Sequence, residues 1–198
     1  MIYPTGRAVL LIALGAPFAA LFAAIVPGLW AIGLAWAVMI GLLLILDGLI
    51  AAKIGDVKIA VPGSAEIGTS FELGVYSQFT GMMRPQTVYG NLGLDDKLSD
   101  LGRVEFTMTP AEQAPDSYEG IGDVTPARRG TGMIGKLWLR WKGPLGLAWR
   151  QAVKESDHAI AVIPNISAVR SPTIQMFLRD SVFGLMARKF RGEGSEFE

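Results

Sequence analysis

The stretch Arg7-AVLLIALGAPFAALFAAIVPGLWAIGLAWAVMIGLLLIL-Asp47 carries no charge between its two ends and is interrupted once, at Pro27-Gly28. The interruption divides it into Ala8 to Val26 and Leu29 to Leu46, each rich in Leu, Ile, Ala and aromatic residues. Nineteen residues at about 1.5 Å rise each give about 28 Å, against about 30 Å of bilayer hydrocarbon. Each half therefore reads as a transmembrane helix with its backbone groups bonded internally, and Pro-Gly reverses the chain between them. Pro17, inside the first helix, predicts a kink there, which a membrane tolerates because neighbouring helices can satisfy the freed carbonyl. Trp30 sits next to the turn, as an interfacial anchor would, whereas Trp36 lies deeper and is expected to pack.

Two blander accounts fit less well. Ala35-Trp36-Ala37 spells a small-x-small cleavage pattern, but the apolar run is several times longer than a signal-peptide core and the match falls in mid-span. A hairpin buried in a soluble core would need more chain to enclose two fully apolar helices than remains.

The flanks set the orientation. Arg7 precedes the first span, Lys53 and Lys58 follow the second, and the turn has no charge, so the excess of cations predicts both termini on the cytoplasmic side. Asp47, at the inner end of the second span, has two readings: an ionisable site within the membrane, or a carboxylate within a turn or two of the headgroups. The second is the ordinary one.

Beyond the hairpin the material changes. Overall 51% of residues are apolar and 18% charged, but the average joins a nearly charge-free first fifty residues to a remainder of ordinary globular composition. Formal net charge is zero, so no global field draws the chain to nucleic acid, and none is expected as a partner. The absence of cysteine removes disulfides, thiolate metal sites and cysteine nucleophiles, and suits a chain facing a reducing compartment.

From Asp56 to Asn165 short segments of alternating polarity are broken by Gly, Pro, Asp and Asn about every ten residues, the spacing of an antiparallel β-sandwich. The candidate strands are Val57 to Val61, Ser70 to Phe79, Gln86 to Leu92, Arg103 to Met108, Gly120 to Arg128, Gly132 to Trp141, Leu147 to Val153 and Ala159 to Ile163. In Leu137-Trp138-Leu139-Arg140-Trp141-Lys142, period two places Leu137, Leu139 and Trp141 on a buried face and Trp138, Arg140 and Lys142 outward. Gly143-Pro144-Leu145-Gly146 then stops the strand. Ser171-Pro172 opens a further helix with Ile174, Phe177, Leu178, Val182, Leu185, Met186 and Phe190 at spacings of three and four, closed by Arg188, Lys189, Arg191 and Gly192. Its apolar face is suited to packing on a neighbouring domain or lying on a membrane surface, and the first is commoner.

The fold class expected is therefore mixed: a transmembrane hairpin over residues 1–53, a fibronectin- or immunoglobulin-like antiparallel β-sandwich over 54–167, and an amphipathic helix opening a further region over 168–198. No catalytic, cofactor-binding or metal site is assigned. His158 is the only histidine, and a lone histidine at a strand start is ordinarily structural. Asp95-Asp96-Lys97-Leu98-Ser99-Asp100 lacks the glycine and closing glutamate of a calcium loop and reads as a solvated turn. Arg191-Gly192-Glu193-Gly194-Ser195 has G-x-G without a third glycine, a preceding strand or a following lysine, so nothing there cradles a phosphate. Asn165-Ile166-Ser167 is a glycosylation sequon by spelling alone, without meaning in a cytoplasmic domain. Arg128, Arg129, Arg140, Lys142 and Arg150 would make a basic patch if the strands bring them together; scattered solvent-facing cations are the ordinary account. Asp116, Glu119 and Asp123 are the carboxylates a hydrolase would use, but no base, nucleophile and oxyanion arrangement accompanies them.

Several of these stretches together resemble the bacterial "domain of unknown function fifty-eight" proteins, encoded beside MoxR-type AAA+ ATPases. They are Tyr3-Pro4-Thr5-Gly6-Arg7-Ala8-Val9-Leu10, Arg128-Arg129-Gly130, Leu137 to Leu147, Ile163-Pro164-Asn165, and Arg191-Gly192-Glu193-Gly194-Ser195-Glu196-Phe197-Glu198. The resemblance implies a two-helix anchor, a β-sandwich, and a C-terminal region like a von Willebrand factor type A domain. The chain stops at Glu198, where the family's segment runs on, so it is expected to be a fragment or a prematurely ended product. The function expected is a non-enzymatic scaffold in the bacterial inner membrane, with the bilayer, a MoxR-type ATPase and other membrane-complex proteins as partners. The alternative is a sandwich on the outer face that binds an envelope ligand, which an exposed aromatic groove would favour.

Overall fold

The computed structural model describes residues 1–81, 83–111 and 114–165. The amphipathic helix expected from Ser171, and the glycine-containing segment after Phe190, lie outside the described residues.

Two helices dominate the N-terminal part: α1 (Gly6–Ile25) and α2 (Ala31–Ile50), joined by a short turn of 3-10 helix, Pro27–Trp30. Both are long and apolar enough to cross a bilayer, by length and composition. Their outward side chains, among them Leu10, Phe18, Leu21, Leu34 and Leu49, stand exposed, an apolar surface that no described residue covers. Small residues let the helices approach: a Cβ on Gly15 would collide with the Trp36 ring, and one on Gly33 with Ala19. Trp36 packs as its depth predicts, and its indole N–H donates to the Leu11 carbonyl at 2.8 Å. The second helix runs four residues past Leu46, so Asp47 lies within its last turn.

The rest is a curled antiparallel sheet. Its strands are β1 (Ile2–Pro4), β2 (Lys53–Ala60), β3 (Ser64–Glu66), β4 (Phe71–Thr80), β5 (Val88–Leu94), β6 (Arg103–Ala111), β7 (Ala114–Val124), β8 (Gly130–Lys142), β9 (Ala148–Lys154) and β10 (His158–Ile163). The hydrogen-bonded path is β1-β9-β8-β5-β6-β7-β4-β2. β10 continues the same edge of β8 that β9 occupies, through Gly130 to Ile134, and β3 pairs parallel with β10.

All eight strands expected from polarity are present, with shifted ends; the largest shift is in β7, which begins at Ala114 rather than Gly120. β1 and β3 were not expected: at three residues each they are too short to display a period.

In β8 the faces divide as period two predicts, with Leu137, Leu139 and Trp141 buried and Trp138, Arg140 and Lys142 outward. The alternation slips once at Gly135-Lys136, where Ile134 pairs with Leu94 but Leu137 with Leu92, so three steps of β8 oppose two of β5. That bulge bends the longest strand. The curl brings β4 onto β8: Phe79 meets Trp141 edge-on at 5.0 Å and Tyr118 at 4.7 Å. Around these rings Leu73, Val75, Leu92, Met108 and Ile160 complete an apolar core, giving a sandwich-like interior.

Candidate functional site

The hairpin and the sheet are locked together at one place. β8 and β9 are joined by Gly143 to Leu147, a turn in which Gly146 takes φ +70°, a conformation glycine adopts without strain. The Asp47 side chain enters this turn and is fully buried. Its Oδ1 accepts from the Leu145 N–H at 2.7 Å, and its Oδ2 accepts from the N–H groups of Leu147 and Ala148 at 2.8 Å each. The carbonyls of the same turn face the start of α1. The Thr5 hydroxyl donates to the Gly146 carbonyl at 2.8 Å, and the Thr5 N–H to that of Leu147 at 2.8 Å. Thr5 also caps α1 by accepting from the Ala8 N–H at 3.3 Å. One end of each helix is thus bonded to the same five-residue turn, whose orphan donors and acceptors find partners there.

A carboxylate at a helix C-terminus faces the negative end of the dipole. Arg150 on β9 offsets this, donating to the carbonyls of Gly48 at 3.3 Å and Ala51 at 2.8 Å. The Trp141 indole N–H reaches the Ala52 carbonyl at 3.1 Å, so the segment leaving α2 is held from the core side too. On the far flank β1 pairs with β9, and Met1 and Gln151 exchange N–H to carbonyl bonds at 3.0 Å. A Cβ on Gly143 would stand 2.5 Å from the Asp47 carboxyl carbon, so the absence of a side chain there makes the seat possible.

Asp47 is thus not a free carboxylate at the end of the second helix but a buried acceptor that holds the sheet to it. Two stretches that carried the family resemblance, Tyr3 to Leu10 and Leu137 to Leu147, meet at this junction.

A second feature is an open groove of about 650 Å³ on the outer face of β5, β6 and β8. Tyr89, Trp138 and Arg140 line it, and the buried Phe106 ring reaches it from the core side. Gly90 leaves the space that the Phe106 ring fills. Beside it the Arg140 guanidinium lies 4.3 Å from the Trp149 ring centre and the Lys142 ammonium 5.0 Å, with Tyr89 edge-on to the same indole at 5.9 Å. Stacked cations and half-exposed aromatics are fixed contact groups of low entropy cost.

The remaining candidates separate. The five cations do not form one patch: Arg128 pairs with Asp96 at 2.8 Å, Arg140 and Lys142 stack on Trp149, and Arg150 turns into the junction. Alternate positions on a strand face opposite sides, so Glu119 and Asp123 share the outer side of β7 while Asp116, of the other parity, pairs with Arg84. Among the described residues no group of three metal-ligating side chains assembles. His158 is exposed, its Nδ1 2.8 Å from the Ser156 hydroxyl.

Asp95 to Asp100 is a tied turn rather than a merely solvated one. Leu98 is fully buried against Gly132, and the Lys97 ammonium reaches Asp95 at 3.3 Å and the Thr131 carbonyl at 3.1 Å. Hydrogen bonds from Asp96 and then Lys97 hold the Asp95 carboxyl below its ordinary value. Asn165 donates to the Thr69 hydroxyl at 3.4 Å, and the rest of the sequon lies outside the described residues.

No family model and no curated protein matches the chain. Among solved structures, similarity is found to the CARDB domain of a Pyrococcus furiosus protein, crystallised in complex with di-metal ions. It is 10% identical, covers 57% of this chain and 89% of that one, and superposes with a TM-score of 0.33.

Proposed function

We propose that the chain is a non-enzymatic, membrane-anchored scaffold that presents its sheet, a fibronectin- or immunoglobulin-like sandwich, to a MoxR-type AAA+ ATPase or to proteins being assembled at a bacterial inner membrane. The observation that supports the anchor is the Asp47 seat. A domain that only needed to stay near a membrane would be served by a slack linker; here the first and last turns of the hairpin are bonded into a single turn of the sheet, so force on the sheet passes directly to the helices. The ATPase partner is motivated by the family resemblance, and the cytoplasmic side by Arg7, Lys53 and Lys58. Affinity purification of the full chain from detergent extracts is expected to bring down an AAA+ ATPase, and its repeated absence would remove the partner.

A second reading is favoured by the Tyr89, Trp138 and Arg140 groove: a sheet on the outer face of the membrane that binds an envelope ligand. Reporter fusions after Glu198 separate the two. The scaffold reading expects fluorescence from a protein that matures in the cytoplasm and no activity from an alkaline phosphatase fusion; active phosphatase establishes the envelope orientation instead.

A further inference from the structure

Beside the β8–β9 turn, at the start of α1, a cavity of about 600 Å³ opens. Arg7 from the first turn of α1, Arg84 from the β4–β5 connection and Lys142 from the end of β8 contribute to its lining, together with Tyr89. Among the described residues that line it there are three cations and no carboxylate. Arg84 is paired with Asp116; Arg7 and Lys142 have no carboxylate partner among the described residues. The nearest buried acid, Asp47, already accepts three backbone N–H groups. Cationic side chains from three separate parts of the chain therefore share a concave space, and two of them have no carboxylate beside them among the described residues.

From this placement we infer that the cavity binds the phosphate of an anionic phospholipid headgroup. The inference rests on the anchor reading, because α1 entering a bilayer at Gly6 places Arg7 at headgroup level. A guanidinium meets two phosphate oxygens with parallel N–H groups, and an ammonium adds a mobile point charge. Basic pockets at the ends of transmembrane helices are suited to anionic headgroups. A membrane lipid fits better than a soluble anion because exposed Leu145 and Met83 also line the cavity and offer an apolar lip to acyl chains.

The test is native mass spectrometry of the full chain from detergent micelles, with phosphatidylglycerol or phosphatidylcholine of matched acyl chains added. Retention of one phosphatidylglycerol in preference to phosphatidylcholine is expected, falling about tenfold in Arg7→Gln/Lys142→Gln. Arg7→Gln alone should also reduce it, and among the described residues the Arg7 side chain makes no hydrogen bond or ion pair that the change could break. Millimolar inorganic phosphate should leave the lipid in place; complete displacement makes this a soluble-anion site and overturns the proposal. Equal retention of both lipids, unchanged in the variants, overturns it as well. Carbonate extraction of membranes distinguishes failure of the anchor: a chain that washes off refutes both readings, whereas one that stays but shows no headgroup preference refutes only the lipid site.

Discussion

Asp47 is the residue on which the junction turns. Its two oxygens serve three N–H groups, those of Leu147 and Ala148 in buried bonds and that of Leu145 in a partly buried one, and each buried donor left without a partner costs about 1–3 kcal/mol. Asp47→Asn keeps the shape but replaces one acceptor oxygen with an amide that confronts a donor. It should destabilise the sheet by on the order of 3 kcal/mol, measured by denaturant unfolding of the full chain in detergent with tryptophan fluorescence. A change within about 0.5 kcal/mol, the range of ordinary surface substitutions, would mean that the seat contributes little. Tyr118 makes a different prediction. Burial raises its phenol above the ordinary 10.0, Arg84 opposes the rise and Asp116 adds to it, and its hydroxyl donates to the Pro85 carbonyl at 2.5 Å. Because the folded value is the higher, the neutral phenol's contribution is fully present below pH 10 and is lost as pH rises through the folded value. Wild type should therefore lose stability above pH 10 more steeply than Tyr118→Phe; parallel pH profiles would remove Tyr118 as the cause.

Among the elements, β8 carries the most structure. Its inner face supplies Leu137, Leu139 and Trp141 to the core, its outer face Trp138, Arg140 and Lys142, and its last residue leads into the Asp47 turn. Trp141→Ala removes a fully buried ring that touches Phe79 and bonds the Ala52 carbonyl, and should cost about 3–5 kcal/mol. Because Ala52 leads out of α2, that variant should also make Ala51 to Lys53 more susceptible to protease, whereas unchanged cleavage there would uncouple the core from the junction. The faces of β8 were legible beforehand because alternation over a long strand is a strong signal. Strands β1 and β3 were not, because three residues give no period and their pairing partners are far away in the chain. The fate of Asp47 was half legible. Its being the charge that ends a run of apolar residues is plain in the sequence, as is the glycine-rich turn after β8, but nothing local says that one supplies the acceptor for the other across about a hundred residues.

At the scale of the molecule, the helices and the sheet are joined by hydrogen bonds from both ends of the hairpin, with β1 closing the flank. Gly143→Ala tests this joint without touching a charged group: the added methyl has to displace the Asp47 carboxylate, so it should loosen the sheet from the hairpin by about 1–3 kcal/mol, visible as earlier unfolding of the sheet while helical circular dichroism persists. Simultaneous loss of both signals would argue against a separable joint. The basic residues show the limit of sequence reading at this scale, since Arg128, Arg140 and Arg150 are equally basic in the string yet are sent by the curl of the sheet to an ion pair, an aromatic stack and a helix terminus. The most direct test of the account is hydrogen–deuterium exchange of the full chain in lipid nanodiscs, followed by mass spectrometry. Slow exchange is expected across Ala8 to Ile50 and at the amides of Leu145, Leu147 and Ala148, with protection at those three lost in Asp47→Asn while the helices stay protected. Rapid exchange at the turn in the wild-type chain, or protection there that survives the substitution, would contradict it.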